Sequence, residues 1–203
     1  MSIYRDRYTP KYLDGFGANA EGWICDRSKE IASILNERGF LVPGGKVFEI
    51  GGGGGLNLQH IRAICPDMQF TMNDLYRDAS LAVMDPGLRD VVEFIELDTL
   101  ALVRTQSHTD IDVFLSIDHL MHLDRDTADE VIRAIECTWR PKVALFRECK
   151  KHMENTTRSY PRIYHNVRLK GYDLVFDGES SINKGSFYIR IFRRCDDVEN
   201  IGG

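Results

Sequence analysis

Apolar residues in this 203-residue chain fall into two patterns, short continuous runs and longer stretches with helical spacing. Runs at 46–50, 68–72, 91–97, 111–117 and 143–147 have the length and apolar character of strands buried on both faces. Helices are predicted between them. One begins near Leu56 and breaks at Cys65-Pro66-Asp67, one spans 78–84 before Pro86-Gly87, and one spans 126–138 with Ala128, Val131, Ile132 and Ile135 on a single face. Residues 1–40 carry two further helices, the second over 25–39 with Ile31, Ile34 and Leu35 at helical spacing and Gly39 as its stop. A polar stretch, 159–170, has helical character and leads to two apolar runs, 172–177 and 186–193, separated by a short polar loop. Such a pair reads as an antiparallel hairpin. The alternation therefore predicts an α/β fold: a doubly wound, seven-stranded, mostly parallel sheet with helices on both faces and a terminal antiparallel hairpin. The tail from Cys195 is polar and reads as frayed.

The first strand runs directly into five consecutive glycines, Gly51 to Gly55, and then into a helix. Glycine loses more backbone freedom on folding than any other residue, so a run of five marks a place where side chains would obstruct. A strand-to-helix turn of this kind lets backbone N–H groups and the positive end of the helix approach a ligand closely. The dinucleotide fingerprint requires Gly or Ala at the sixth position. Counting from Gly51 or Gly52, that position holds Leu56 or Asn57, so the fingerprint is not met.

Length suits one domain spanning 1–203, and a content of 43% hydrophobic and 28% charged residues is that of a soluble globular protein. No apolar run approaches the roughly 20 residues of a membrane span, and the first residues lack the apolar core of a signal peptide. A cytoplasmic location without membrane association is expected. The five cysteines are scattered and never form a Cys-x-x-Cys pair, which predicts reduced thiols and neither disulfides nor a zinc site. A formal charge of −5 argues against a partner bound through phosphates. The mixed run 158–170, the one candidate basic face, reads as a solvated helix face.

Two predicted strands end in acids, Asp74 after Asn73 and Asp98 before Thr99. In open parallel sheets ligands lie beyond the carboxyl ends of the strands, so such acids share the position of the glycine turn. Asp98 also suits a helix N-cap. After the fourth strand comes Asp118-His-Leu-Met-His122, three polar groups that cluster if the segment starts a helix. A histidine of near-neutral pKa there is a suitable general base, its pKa raised by a neighbouring carboxylate. Metal ligation is disfavoured because no fourth ligand is identifiable.

Glu49, Gly51, Gly53 and Gly55 occupy the marked positions of acidic-x-Gly-x-Gly-x-Gly. The segment Ser116 to Leu123 matches a second pattern, strand, Ser, then a polar stretch ending His-Leu. On these residues the chain resembles the class I S-adenosylmethionine (SAM)-dependent methyltransferases over 46–193, with His119 departing from the aliphatic residue usual in that family. The resemblance implies SAM as cofactor, with the turn Gly51, Gly53 and Gly55 on the methionine part and Glu49 orienting the loop or the ammonium. It implies Asp74 on both ribose hydroxyls and Asp98 on the adenine amino group, with Leu75, Thr99 and Ser116 also at the cofactor. Asp118, His119 and His122 would lie at the acceptor end as catalytic candidates. Residues 1–40 would form a cap or lid whose wall includes Tyr4, Tyr8, Tyr12, Phe16 and Trp23. The Asn/Asp-Pro-Pro-Tyr/Phe signature of nucleic-acid amine methylation is absent at 116–119, which leaves a small-molecule acceptor or, less favoured, a protein side chain. A catalytically silent SAM-binding protein and a dinucleotide-dependent oxidoreductase are the alternatives.

Overall fold

The structure is a computed structural model that describes residues 17–149, 167–182 and 186–195. Its strands form a seven-stranded mixed sheet in the order β3-β2-β1-β4-β5-β7-β6: β1 (Lys46–Ile50), β2 (Gln69–Asp74), β3 (Val92–Glu96), β4 (Val113–Ile117), β5 (Val143–Cys149), β6 (Tyr172–Glu179) and β7 (Phe187–Arg194). The chain divides after Asp98 into two compact units. Among the described residues no helix is long and apolar enough to cross a membrane.

The first unit opens with α1 (Trp23–Glu37), which buries Ile31, Ala32 and Leu35. It stops where predicted. Gly39 takes φ 70, its N–H donates to the Asn36 carbonyl, and the Phe40 N–H donates to the Leu35 carbonyl, both at 2.9 Å. This pair of bonds satisfies carbonyls that the helix end would otherwise leave open. Strand β1 pairs in parallel with β2, and β2 with β3, in a register that sets Ile50 beside Asn73 and Asp74 beside Glu96. The connections are α2 (Leu56–Ile64), α3 (Arg77–Val83) and the short α4 (Pro86–Arg89), capped by Asp85 accepting from the Leu88 N–H at 3.0 Å. Val47, Phe48, Ile50, Leu58, Ile61 and Met72 have no exposed surface, and truncating any of these to Ala is expected to cost about 2–5 kcal/mol.

The second unit begins with α5 (Thr99–Thr105), which starts directly after Asp98. Strand β4 leads to a single 3-10 turn, Leu120–His122, and then to α6 (Arg125–Ala134), capped by Asp124 accepting from the Thr127 N–H at 2.7 Å. The predicted helix over 126–138 is α-helical only to Ala134. Ile135–Trp139 follows as a π-helical turn that ends at Arg140 with φ 43. The wider turn delivers Trp139 to the core beside Phe114, which continues to Phe146 and Phe192 with ring centroids 5.8 to 6.1 Å apart. Strand β5 is parallel to β4 and antiparallel to β7, and β7 is antiparallel to β6. The return strand of the hairpin therefore lies inside and β6 forms the edge. Of the stretch 159–170, residues 159–166 lie outside the described residues, and 167–170 are not helical. Tyr4, Tyr8, Tyr12 and Phe16 also lie outside them, as does the tail beyond Cys195. Trp23, the remaining residue of the expected wall, is 47% exposed at the start of α1.

Candidate functional site

Gly51, Gly53 and Gly55, the three marked positions of the turn, have φ of 65, 57 and 76. Side chains rarely adopt this region, and a β-branched residue there is a genuine outlier. Gly52 is required for a different reason. A Cβ on it would overlap the Met72 side chain on β2. The turn is held to the end of β2: the Gly52 N–H donates to the Asn73 carbonyl at 3.2 Å and the Gly53 N–H to Asp74 Oδ2 at 2.9 Å.

Glu49, at the end of β1, is 1% exposed. Its Oε1 accepts from Asn57 Nδ2 at 2.6 Å, and the Asn57 Oδ1 accepts from the Ser28 hydroxyl at 2.7 Å, so α1 and α2 together fix one carboxylate oxygen. The other, Oε2, is buried without a hydrogen-bond partner among the described residues. Burial raises the Glu49 pKa from 4.5 to about 7, against the opposing effects of the Asn57 bond and the Arg27 charge. Neither Asn57 nor Ser28 is singled out by the sequence pattern. The available signal is a polar residue in the first buried turn of α2.

Asp74 is the last residue of β2. Its two oxygens accept from the Gly53 N–H at 2.9 Å and the Leu75 N–H at 2.7 Å. Burial raises its pKa, and these backbone donors oppose the rise. Asn73 points to a different neighbour. Its Nδ2 donates to the carbonyls of Ile95 at 3.0 Å and Leu97 at 2.8 Å, pinning the chain that leads from β3 to Asp98. Asp98 is exposed, and Leu75 is 39% exposed. Glu49, the turn, Asp74 and Asp98 thus all lie at the carboxyl ends of β1, β2 and β3 in the first unit.

The second unit corrects the expected arrangement of Asp118, His119 and His122. Asp118 does not start a helix. It takes φ 54, and the helical turn begins only at Leu120, so the three do not share a helical face. Its carboxylate is engaged by Arg147, whose Nη1 donates to both oxygens at 2.5 and 2.6 Å. Arg147 has no exposed surface, lies 4.0 Å over the Phe187 ring, and also donates to the Ser180 hydroxyl and the Ile182 carbonyl. His119 is not the near-neutral base expected beside a carboxylate. Burial and then the charge of His122 lower its pKa to about 3, and its Nε2 lies 2.9 Å from the Thr99 hydroxyl. Ser116 is fully buried with its hydroxyl on Glu148 Oε1 at 3.1 Å, which places it in the core. Glu148, absent from the sequence-derived candidates, also accepts from the backbone N–H groups of Leu120 and Met121 at 3.1 and 3.3 Å, and so holds the turn that carries His122. Burial and then Asp118 raise its pKa to about 8. A signal was available for this pair. Arg147-Glu148 interrupts an otherwise apolar strand in a sheet expected to be covered on both faces, which marks a buried polar cluster.

No family model matches the sequence, and no curated protein matches it. Solved structures do match the fold. An O-methyltransferase family protein from Burkholderia thailandensis superposes with a TM-score of 0.63 at 19% identity, over 94% of this chain and 61% of its own. The chain thus spans about three fifths of that protein's length. Magnesium protoporphyrin IX methyltransferase (ChlM) from Synechocystis PCC 6803 with bound SAM gives 0.64 at 15% identity, over 85% and 80% of the two chains. The small RNA methyltransferase HEN1 gives 0.60 at 16% identity, over 82% of this chain and 25% of its own. The fold is that of the class I methyltransferases. At these identities the likeness establishes architecture, and the insertion of β7 between β5 and β6 is the feature that departs from the six-stranded dinucleotide order.

Proposed function

We propose that this chain is a methyltransferase that binds SAM in its first unit and moves the methyl group to a nucleophile on a small-molecule acceptor. The observation that carries the reading is Glu49 Oε2, a buried acidic oxygen without a partner among the described residues, beneath a turn of three left-handed glycines. A buried acceptor of this kind is expensive unless a ligand donates to it. The polar groups fit SAM: Glu49 to accept from an ammonium group, Asp74 from vicinal hydroxyls and Asp98 from an exocyclic amine, with exposed Leu75 offering apolar surface beside Asp74. When bound, SAM supplies an electrophilic methyl on a positively charged sulfur. The protein's contribution is alignment and exclusion of water.

For the acceptor we assign His122 as the residue that takes a proton where one must be lost. His119 is neutral down to about pH 3 and is paired with Thr99, while Asp118 is held by Arg147 and acts by positioning. The formal charge of −5 supports a small molecule over a nucleic acid. Five scattered cysteines with no Cys-x-x-Cys pair support a reducing compartment, the cytoplasm.

A thermal-shift screen with SAM, its demethylated product S-adenosylhomocysteine and NAD(H) tests the reading. Stabilisation by the first two and none by NAD(H) is expected, and the reverse identifies an oxidoreductase. Once an acceptor is found, His122→Ala is expected to lower turnover while SAM affinity stays within about twofold. Unchanged turnover returns His122 to a structural role.

A further inference from the structure

Glu49 is not fully satisfied in either protonation state. Ser28 donates to Asn57 Oδ1, which turns the Asn57 amide nitrogen toward Glu49 and assigns that donor to Oε1. The remaining oxygen, Oε2, has no partner among the described residues. Protonated, it is a buried O–H without an acceptor; ionised, it is a buried charge without a donor. An ammonium group from a ligand satisfies the ionised state alone. The groups facing Glu49 come from each element packed on it: Asn57 from α2, Arg27 from α1 and Asp74 from β2, and a Cβ at Gly52 would lie 3.4 Å from Oε2.

We propose that a ligand whose ammonium group reaches Glu49 expels a proton from its carboxyl group, so that binding at the glycine turn releases that proton to solvent and selects ligands carrying a free amino-acid moiety. In this step the Oε2–H bond breaks, its electron pair stays on the oxygen, and the proton passes to buffer. The inference rests on the SAM-binding reading and adds to it a proton linkage. With the carboxyl at about pH 7 when unliganded, release is close to one proton at pH 6 and falls toward zero by pH 8. Affinity accordingly weakens about tenfold from pH 8 to pH 6.

The test is calorimetry of the full chain with S-adenosylhomocysteine at pH 6.5 and pH 8, in phosphate and in imidazole, whose ionisation enthalpies differ. The expected result is a buffer-dependent heat at pH 6.5, equal to about three quarters of a proton released, that nearly vanishes at pH 8. A parallel titration uses 5′-methylthioadenosine, which keeps the nucleoside and lacks the amino acid. It retains any proton exchange at Asp74 and is expected to show no release from Glu49. Glu49→Gln is expected to bind S-adenosylhomocysteine more weakly, with its buffer dependence reduced to that of 5′-methylthioadenosine, and the wild-type comparison stands without it if that variant does not fold. Binding without buffer dependence at pH 6.5, or equal release with 5′-methylthioadenosine, overturns the proton linkage while leaving the SAM reading intact. No binding of S-adenosylhomocysteine at any pH overturns both.

Discussion

Asp74 accepts the backbone N–H of Gly53 at 2.9 Å, joining two residues 21 positions apart. The acid expected to meet the ribose thus also braces the loop expected to meet the methionine. Replacing it removes a ligand contact and the support of the turn together.

Asp74→Ala is therefore expected to weaken binding of S-adenosylhomocysteine more than Asp98→Ala, since Asp98 is exposed while Asp74 is buried against the turn. The loss of charge-assisted bonds at Asp74 corresponds to about 1.5–3 kcal/mol each. Asp74→Ala is also expected to lower the unliganded melting temperature, because the N–H groups of Gly53 and Leu75 lose their acceptor. Calorimetric affinities and thermal melts of the two variants check this. Equal losses in affinity would reassign the ribose contact.

Gly53→Val places a β-branched residue at φ 57. Backbone strain of about 1–3 kcal/mol and a side chain on the ligand-facing turn are expected to abolish binding, while far-UV circular dichroism still reports a folded chain. Full affinity in the variant would make the turn purely structural.

Stability is expected to depend on pH through three buried groups. Glu49 and Glu148 have pKa values raised from 4.5 to about 7 and about 8, so their contribution is fully present below pH 4.5 and is lost as pH rises through 7 and 8. His119, lowered from 6.5 to about 3, acts in the opposite sense: its contribution is present above pH 6.5 and is lost as pH falls toward 3. Urea midpoints of the unliganded protein from pH 4 to 9 are expected to decline on both sides of a maximum at about pH 4.5, where the opposing slopes of the two carboxyls and of His119 cancel. Glu148→Gln is expected to flatten the alkaline side up to pH 8. A midpoint that rises steadily to pH 8 would show that these carboxyls ionise normally.

Arg147 is fully buried, and Asp118 is the carboxylate paired with it. Asp118→Ala leaves that cation unpaired in the core and is expected to cost about 3–5 kcal/mol in unfolding free energy. Arg147→Met combined with Asp118→Ala is expected to recover a large part of the loss, which equilibrium denaturation of the two variants measures. A single variant as stable as wild type would place the weight of the cluster on Ser180 and Phe187 instead.

The sequence by itself determined the alternation of strands and helices, the terminal hairpin, and the glycine turn with Asp74 at the end of the second strand. Each depends on properties local to the chain: the period of apolar residues, the backbone angles open only to glycine, and the residue at which an apolar run stops. Gly51, Gly53 and Gly55 prove to be the positions with positive φ because that requirement acts residue by residue. Tertiary structure decided the rest. Only folding brings Ser28 to Asn57 and Asn57 to Glu49, 29 and 8 residues apart, and leaves one carboxylate oxygen without a partner among the described residues. Only folding sets Asp118 against Arg147, 29 residues later, and pairs it with a buried cation. His119 shows the same limit, since the carboxylate beside it in sequence predicts a raised pKa and its burial lowers it to about 3. Charge state and pairing depend on how much water is excluded and on which distant groups replace it, and both are set by long-range packing, which no local pattern encodes.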